Sequence, residues 1–241
     1  MLRSTTRYVN LNLCAQIVYG GRFEYIALIL LFVSITEHMS GKVFTFPRES
    51  KIDLVKLLTH KQSFNALTTC LRYQTDLSRN HVLMSLATPT KFNAFVLFKP
   101  ELDNTMRMHA LDGVADFKSL AIAPNTWHSM CATWSSATGL AQLWLDGKAT
   151  IKKFIKTGAL TGQPISVLGQ EQDTYGGGYD INQSFIGMIT EVHMWDTVIP
   201  STEIKRYMAE QYVTPGNVFN WRALEFEITG QVLVEDMRDV K

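Results

Sequence analysis

The sequence has almost no net charge and no concentrated basic segment. Its 241 residues include 23 Lys and Arg against 22 Asp and Glu, which leaves a formal net charge of +1. No overall field steers the chain toward nucleic acid or an anionic membrane, so neither is predicted as a partner. Pro/Gly/Ser linkers, internal repeats and low-complexity stretches are also missing after residue 42. Because 46% of the residues are hydrophobic, the composition predicts one packed domain and argues against disorder.

The N-terminal apolar run is too short to span a bilayer. "YIALILLFVSI" at residues 25–35 has eleven residues, about half the number that a membrane span needs. Basic residues precede the run and small residues follow it, as in a secretory signal: Arg3, Arg7 and Arg22, then Ser40 and Gly41. We expect residues 1–40 to be a signal peptide with an N-terminal extension, and residues 41–241 to be the secreted domain. A retained anchor and a buried element of the fold are the alternatives.

Cysteine is scarce, with three in the chain. Cys14 lies in the predicted signal region, which leaves Cys70 and Cys131, an even number that suits an oxidising compartment. A bridge between them would join residues 61 positions apart and would stabilise the fold by about 4 kcal/mol in the chain-entropy model. Two buried free thiols are the alternative.

Alternation of apolar and polar residues dominates after residue 42 and predicts β-strands with one buried face. In "ALEFEITGQVLVED", Leu224, Phe226 and Ile228 alternate with polar residues, and "TEVHMWD" sets Val192 and Met194 against Glu191 and His193. "AQLWLDGKATIKKFI" indicates a hairpin around Asp146-Gly147, a dipeptide that tolerates positive φ angles. Repeated strand and turn signals predict an all-β sandwich of two antiparallel sheets.

One segment, "PSTEIKRYMAEQ", has helical spacing instead. Ser201 is expected to cap the helix, Ile204 and Met208 to face the protein, and Pro215 to stop the helix. We therefore expect one short helix on a sheet face.

The stretch "LGQEQDTYGGGYDINQS" at residues 168–184 concentrates oxygen donors and glycine. Calcium takes about six to eight oxygens from carboxylates, amides, backbone carbonyls and water. Glycines at 176–178 would let the chain fold back, and residues 171 and 173 would lie on one side of an extended backbone. The stretch predicts a calcium site with these donors: Glu171, Gln172, Asp173, Asp180 and Gln183. A solvated acidic surface loop is the alternative.

Several stretches in order along the chain, from about Val43 to Asp236, resemble the pentraxin family. They are the acidic loop with the following "IGMITEVHMWD", and "FTFPRES", "CATWSSATGLAQLWLDGK" and "PGNVFNWRALEFEI". The resemblance implies a jelly-roll sandwich of the concanavalin/laminin-G kind, a disulfide between Cys70 and Cys131, and secretion. It also implies a ring-shaped homo-oligomer, a pentamer, that acts in innate immunity and the acute-phase response.

The resemblance further implies that the acidic loop holds two calcium ions, with Gln172 contributing its backbone carbonyl. In the family, a second loop adds an Asp-Asn pair to the first ion. Here that loop reads "TPTKFNAF", so Asn93 is kept while Phe92 stands in place of the acid. Because a hard ligand and its charge are lost, we expect the first ion to bind weakly or not at all.

Through these ions the resemblance implies lectin-like binding of phosphocholine or other phosphate-bearing or carbohydrate groups on microbes and damaged cells. Phe98 matches a family phenylalanine that packs against the choline methyl groups; filling of the core is its alternative role. The glutamate of the family's ligand pocket has no clear counterpart, because "DNTMRMHALDGVADF" diverges.

Catalysis is not expected. Glu171 and Asp173 begin a Glu-x-Asp-x-Glu pattern used by some jelly-roll glycosidases, but Tyr175 and Gly176 follow where the second acid is needed. A laminin-G-like structural or adhesion module is the main alternative function.

Two further residues have other expected roles. His128 is interpreted as structural. Asn182 begins an N-glycosylation sequence, and a glycan there would crowd Gln183.

Overall fold

The computed structural model describes residues 38–239, so the expectations for the signal region up to residue 37 lie outside the described residues. Within this part, strands dominate and one α-helix and two short 3-10 helices interrupt them. Their bounds are β1 Lys42–Phe46, β2 Leu54–Leu57, β3 Ser63–Phe64, β4 Ala66–Gln74, β5 His81–Thr88, β6 Lys91–Lys99, β7 Met106–Ala110, β8 Gly113–Phe117, β9 His128–Ser135, β10 Leu140–Leu145, β11 Lys148–Ala149, β12 Lys153–Phe154, β13 Leu160–Thr161, β14 Ile165–Leu168, the 3-10 helix Ile181–Gln183, β15 Gly187–Trp195, α1 Ser201–Met208, the 3-10 helix Trp221–Ala223, β16 Phe226–Thr229 and β17 Leu233–Asp236.

The strands form two antiparallel sheets, which confirms the predicted all-β jelly-roll sandwich. The first sheet has the order β11-β10-β9-β4-β15-β1-β17, with β12 also paired to β10. The second sheet has the order β16-β2-β14-β5-β6-β7-β8. A small two-stranded pair, β3 with β13, lies apart from both. No helix within residues 38–239 is long and apolar enough to cross a membrane.

The core lies between the two sheets and is filled by aromatic and aliphatic side chains from both. Phe44 on β1 contacts Trp221 and Phe226 edge to face, with ring centroids 5.3 and 5.0 Å apart. Such pairs add about 0.5–1.5 kcal/mol beyond the area they bury. Phe226 and Ile228 pack against this core while Glu227 is exposed, so the alternation predicted for this strand is confirmed.

The disulfide between Cys70 and Cys131 is present, which excludes the free-thiol alternative. The two residues face each other directly in the pairing of β4 with β9. They lie on the outer face of the first sheet, in a second apolar cluster with Trp195 and with Ile204 and Tyr207 of α1. The bridge therefore supports the surface on which the helix rests.

The turn at Asp146-Gly147 is confirmed, with positive φ angles of 47° and 80°. The predicted helix is also present, but its ends differ from those expected. Pro200 is the N-cap, and it forms no side-chain cap bond because its ring has no acceptor atom; its carbonyl accepts the N–H groups of Glu203 and Ile204. Ser201 is the first helical residue, so the N-cap prediction was wrong.

The C-terminus of the helix is set by Glu210 rather than Pro215. Glu210 adopts a left-handed conformation with a φ of 56°. Its N–H donates to the Tyr207 carbonyl, and the Gln211 N–H donates to Arg206. This is the Schellman pattern, which usually requires glycine. No glycine marks the position in the sequence, so the helix was expected to continue too far.

His193 is buried, contrary to the alternation expected for "TEVHMWD". A β-bulge interrupts the register between Thr190 and His193, and α1 covers the outer face of this strand. The His193 ring stacks on Trp195 and meets Tyr207 edge to face. Period-two alternation fails here because both faces of the strand are covered.

Gly169, directly after β14, connects the fold to the acidic loop. Its φ is 85°, and a Cβ atom at this position would lie 2.5 Å from Cε1 of Phe46. Gly147 has a similar φ of 80° but no heavy atom within 4 Å of the same point. Of these two glycines, only Gly169 therefore combines a left-handed backbone with a close approach to the core.

We predict that Gly169→Ala destabilises the protein more than Gly147→Ala. Both substitutions carry the left-handed strain of about 1–2 kcal/mol, and Gly169→Ala adds overpacking against Phe46 of about 1–3 kcal/mol. Urea denaturation measures the difference. Equal losses of unfolding free energy in the two variants would show that the Phe46 ring can move aside without destabilising the protein.

Candidate calcium site

The acidic loop is closed at its base and lies beside the second sheet. The Gly169 N–H donates to the Leu83 carbonyl, and the Phe185 N–H donates to the Gly169 carbonyl at 3.0 Å. The second bond joins the two ends of the loop, so residues 170–184 return to their starting point. The donor residues predicted from the sequence are thus confined to one region.

Two glutamines hold the loop to the protein. The Gln170 amide nitrogen donates to the carbonyls of Ser50 and Asp53, and the Ser85 hydroxyl donates to the Gln170 carbonyl at 2.7 Å. The Gln172 amide nitrogen donates to the Ser85 hydroxyl and the Ile165 carbonyl. Both glutamines are buried. Sequence reasoning missed the role of Gln170, because its partners are far away along the chain.

The Gln172 amide oxygen accepts the Gly176 N–H at 3.1 Å. Its side chain is therefore used to fold the loop, and the metal-binding role expected of its backbone carbonyl stays a prediction. The turn itself is a tight pairing of Thr174 with Gly177. Gly176 and Gly178 have φ angles of 77° and 74°, and the glycines thus have the backbone role predicted for them.

Glu171 and Asp173 lie side by side, as their alternate positions predicted. The Glu171 side chain is buried and shares a hydrogen bond with Asp173, which is exposed. Burial, and after it the negative charge of Asp173, together raise the pKa of the Glu171 carboxyl to about 7. Two carboxylates held together in this way favour a proton or a cation between them.

Asp180 and Gln183 frame the short 3-10 helix at the end of the loop. Asp180 is its N-cap, and its Oδ1 accepts both the backbone and the side-chain N–H of Asn182 at 3.0 Å. The Gln183 amide oxygen is buried and has no hydrogen-bond partner. A buried carbonyl oxygen without a partner is costly, and a calcium ion is one group that would satisfy it.

The residues present fit calcium through mixed oxygen donors. Within residues 38–239, no three His, Cys, Asp or Glu side chains gather as a metal-binding group. The candidate donors are instead the adjoining carboxylates Glu171 and Asp173 and carbonyl oxygens, foremost that of Gln183. Calcium accepts both kinds of oxygen.

The second loop places Asn93 at the start of β6, and its neighbour Phe92 is exposed. The Asn93 N–H donates to Asp112 Oδ1 at 3.2 Å, and its carbonyl accepts the Asp112 N–H. The other Asp112 oxygen forms a 2.8 Å ion pair with Lys91. Asp112 was not singled out from the sequence, because only the pairing of β6 with the β7–β8 turn brings it here.

Phe98 lies on the outer face of β6 and is partly exposed. Its neighbour Leu97 points into the core between the sheets, so Phe98 points the other way. The core-filling role considered for Phe98 is therefore not the one observed.

His128 is buried and hydrogen-bonded at both ring nitrogens. Nδ1 lies 2.7 Å from Asp146 Oδ2, and Nε2 contacts the backbone of Ala123. These contacts agree with a structural role. Asn182 is exposed, and its glycosylation stays a prediction.

Comparison with known proteins defines the family. The model of the Pentaxin family matches residues 42–236. The chain is 39% identical over 202 residues to serum amyloid P-component from Bos taurus, covering 83% of this chain and 89% of that protein. It is 40% identical over 201 residues to C-reactive protein from Rattus norvegicus, covering 83% and 86%.

Structure agrees with sequence on this point. The heptameric SAP-like pentraxin from Limulus polyphemus has a TM-score of 0.76 at 19% identity, covering 82% of this chain and 96% of that one. At this identity the likeness shows the shared fold. Taken with the sequence matches, the chain belongs to the pentraxin family.

We predict that the carboxyl of Glu171 makes both stability and calcium binding depend on pH. Its folded pKa of about 7 exceeds the ordinary value of 4.5. The folded state therefore holds a proton that the unfolded chain releases at lower pH, and stability without calcium falls as pH rises from about 4.5 to about 7. Calcium must displace this proton, so its affinity falls as pH drops below about 7.

Thermal melts with and without calcium at several pH values measure both effects. In Glu171→Gln, the calcium-free protein should lose the decline in melting temperature between about pH 4.5 and 7. Glu227→Gln, which removes an exposed acid from the same sheet, should keep it. A decline that persists in Glu171→Gln would assign the titration to another group.

We also predict that Phe92→Asp strengthens binding of the first calcium ion. The substitution restores a carboxylate beside Asn93, while Phe92→Asn alters size without adding charge. Calorimetric titration should find one well-bound ion in the wild type and a second in Phe92→Asp only. Two ions of similar high affinity in the wild type, or no gain in Phe92→Asp, would contradict the assignment of this loop.

Proposed function

We propose that this chain is a secreted, calcium-dependent pattern-recognition protein of innate immunity. Its ligands would be phosphate-bearing or carbohydrate groups on microbial or damaged-cell surfaces. The proposal rests on two observations in the acidic loop. Glu171 and Asp173 are paired there, and the Gln183 amide oxygen is buried without a hydrogen-bond partner. The similarity to serum amyloid P-component and C-reactive protein supports the same reading.

The loop residues have different roles in such a site. Glu171 and Asp173 supply negative charge, Gln183 and the Gln172 backbone supply neutral oxygens, and Gln170 fixes the loop to the sheet. Bound calcium would supply positive charge and open coordination positions for ligand oxygens. The carboxylates in this proposal act as ligand holders, so no bond in the bound molecule is broken and the protein is not an enzyme.

Assembly is a further part of the proposal. A single metal-bridged contact is weak, and several sites on one face of a ring raise the apparent affinity by orders of magnitude, about 10²–10⁴. The related Limulus polyphemus protein is a heptamer, and family resemblance suggests a pentamer here. Light scattering of the secreted protein should give the mass of a closed ring. A monomeric mass would contradict the proposed ring assembly.

The test of function is retention on phosphocholine, phosphoethanolamine and sugar-phosphate beads with calcium or with chelator. We expect calcium-dependent retention on at least one of them. The double variant Glu171→Gln/Asp173→Asn should weaken it at least tenfold, because the loop then lacks the charge that holds the metal. Glu227→Gln is the matched control and should bind normally.

Equal retention in calcium and in chelator would reject the metal-bridge mechanism. Calcium binding without retention on any of these beads would instead favour the laminin-G-like structural or adhesion module. The two outcomes are distinguished by the calorimetric titration of the same preparation.

A further inference from the structure

The outer face of the second sheet continues from the calcium loop across three strands. Ser85, which anchors the loop through both glutamines, pairs with Val96 on β6. Val96 pairs with His109 on β7, and His109 pairs with Val114 on β8. Directly paired residues share one face of a sheet and neighbouring strands lie about 4.8 Å apart. This row therefore begins at the loop and leads away from it.

The next row on the same face contains Phe98, Arg107 and Asp116. Phe98 pairs with Arg107, and Arg107 pairs with Asp116. All three side chains are partly exposed, and their neighbours Leu97, Met108 and Phe117 point into the core. A ligand held at the loop and extending along this face meets Phe98 first and Arg107 next.

Arg107 binds both oxygens of the Asp116 carboxylate. Its Nε donates to Oδ1 at 2.7 Å and its Nη2 donates to Oδ2 at 2.9 Å. This bidentate geometry is the strong form of such a pair. It lowers the pKa of the Asp116 carboxyl and raises that of the Arg107 guanidinium. The acid nearest to Phe98 in this row is thus already neutralised.

The surroundings of Asp116 carry more positive than negative charge. Lys153 donates to the Asp116 backbone carbonyl at 2.6 Å and lies over the Phe117 ring. Lys118 also lies close enough to lower the pKa of the Asp116 carboxyl. Asp112 lies in the turn at the other end of this hairpin and is paired with Lys91, and Asp103, in the β6–β7 connection, lies near Lys99. A quaternary ammonium group placed against Phe98 would find a guanidinium where it needs a free carboxylate.

We propose that Arg107 sets the ligand preference of the calcium site by excluding cationic tails. The site then prefers a phosphate or carboxylate group whose remainder carries hydroxyls or further negative charge, such as a phosphorylated sugar, over phosphocholine. Arg107 lies two strands across and one row along from Ser85, about 12 Å away, on the face along which a ligand held at the loop would extend. This inference rests on the proposed function and revises the expectation that Phe98 serves choline.

Calorimetry in calcium with two probes, glucose 6-phosphate and phosphocholine, tests the proposal. The wild type should bind glucose 6-phosphate at least tenfold more tightly. In Arg107→Gln this ratio should fall at least tenfold, because the Asp116 carboxylate becomes available to the choline cation. Lys56→Gln is the matched control, since Lys56 lies on the same face but across the loop, and its ratio should not change.

A second variant guards against misfolding of Arg107→Gln. Asp116→Asn frees the guanidinium instead, so its preference for glucose 6-phosphate should increase. A wild type that binds phosphocholine as tightly as glucose 6-phosphate, or a ratio that neither variant moves, would overturn the inference. Absence of calcium-dependent binding of both probes would instead reject the proposed function on which it rests.

Discussion

The site depends on two carboxylates being held together where burial and mutual repulsion both oppose their ionisation. Glu171 is buried and adjoins Asp173, and its raised pKa records that cost. A loop under such strain keeps its shape only if the surrounding backbone is fixed. Ser85, Gln170 and Gln172 do this through hydrogen bonds to both sides of the loop. The amide groups thus supply the rigidity, and the carboxylates supply the charge.

The rest of the fold can be understood from the need for a fixed backbone around Glu171 and Asp173. The second sheet presents its outer face beside the loop, and the sandwich core fixes its strands in register. The disulfide and α1 lie on the outer face of the first sheet, so they stabilise the opposite side without touching the proposed ligand face. The disulfide and α1 are thus on one sheet, and the proposed ligand face is on the other.

Two features of the proposed ligand face bear on its charge. By the family resemblance an acid is expected beside Asn93, where the exposed Phe92 stands, and Asp116, the acid in the same row as Phe98, is held by Arg107. Both features reduce negative charge near the site. Under the proposed function, the face would therefore suit the anionic end of a ligand better than a cationic tail.

The sequence by itself determined the all-β class and the Asp146-Gly147 turn, because alternation and turn chemistry are local. The calcium donors of the loop stay predictions, as does the loss of an acid at Phe92, which the family resemblance implies. Only the tertiary structure decided which side-chain oxygens of the loop already have a hydrogen-bond partner within the protein. Gln172 is used in folding the loop while Gln183 is left without a partner, and Asp112 reaches Asn93 from 19 residues away. Such contacts depend on strand register and loop packing, which join residues distant along the chain and leave no periodic signal in it.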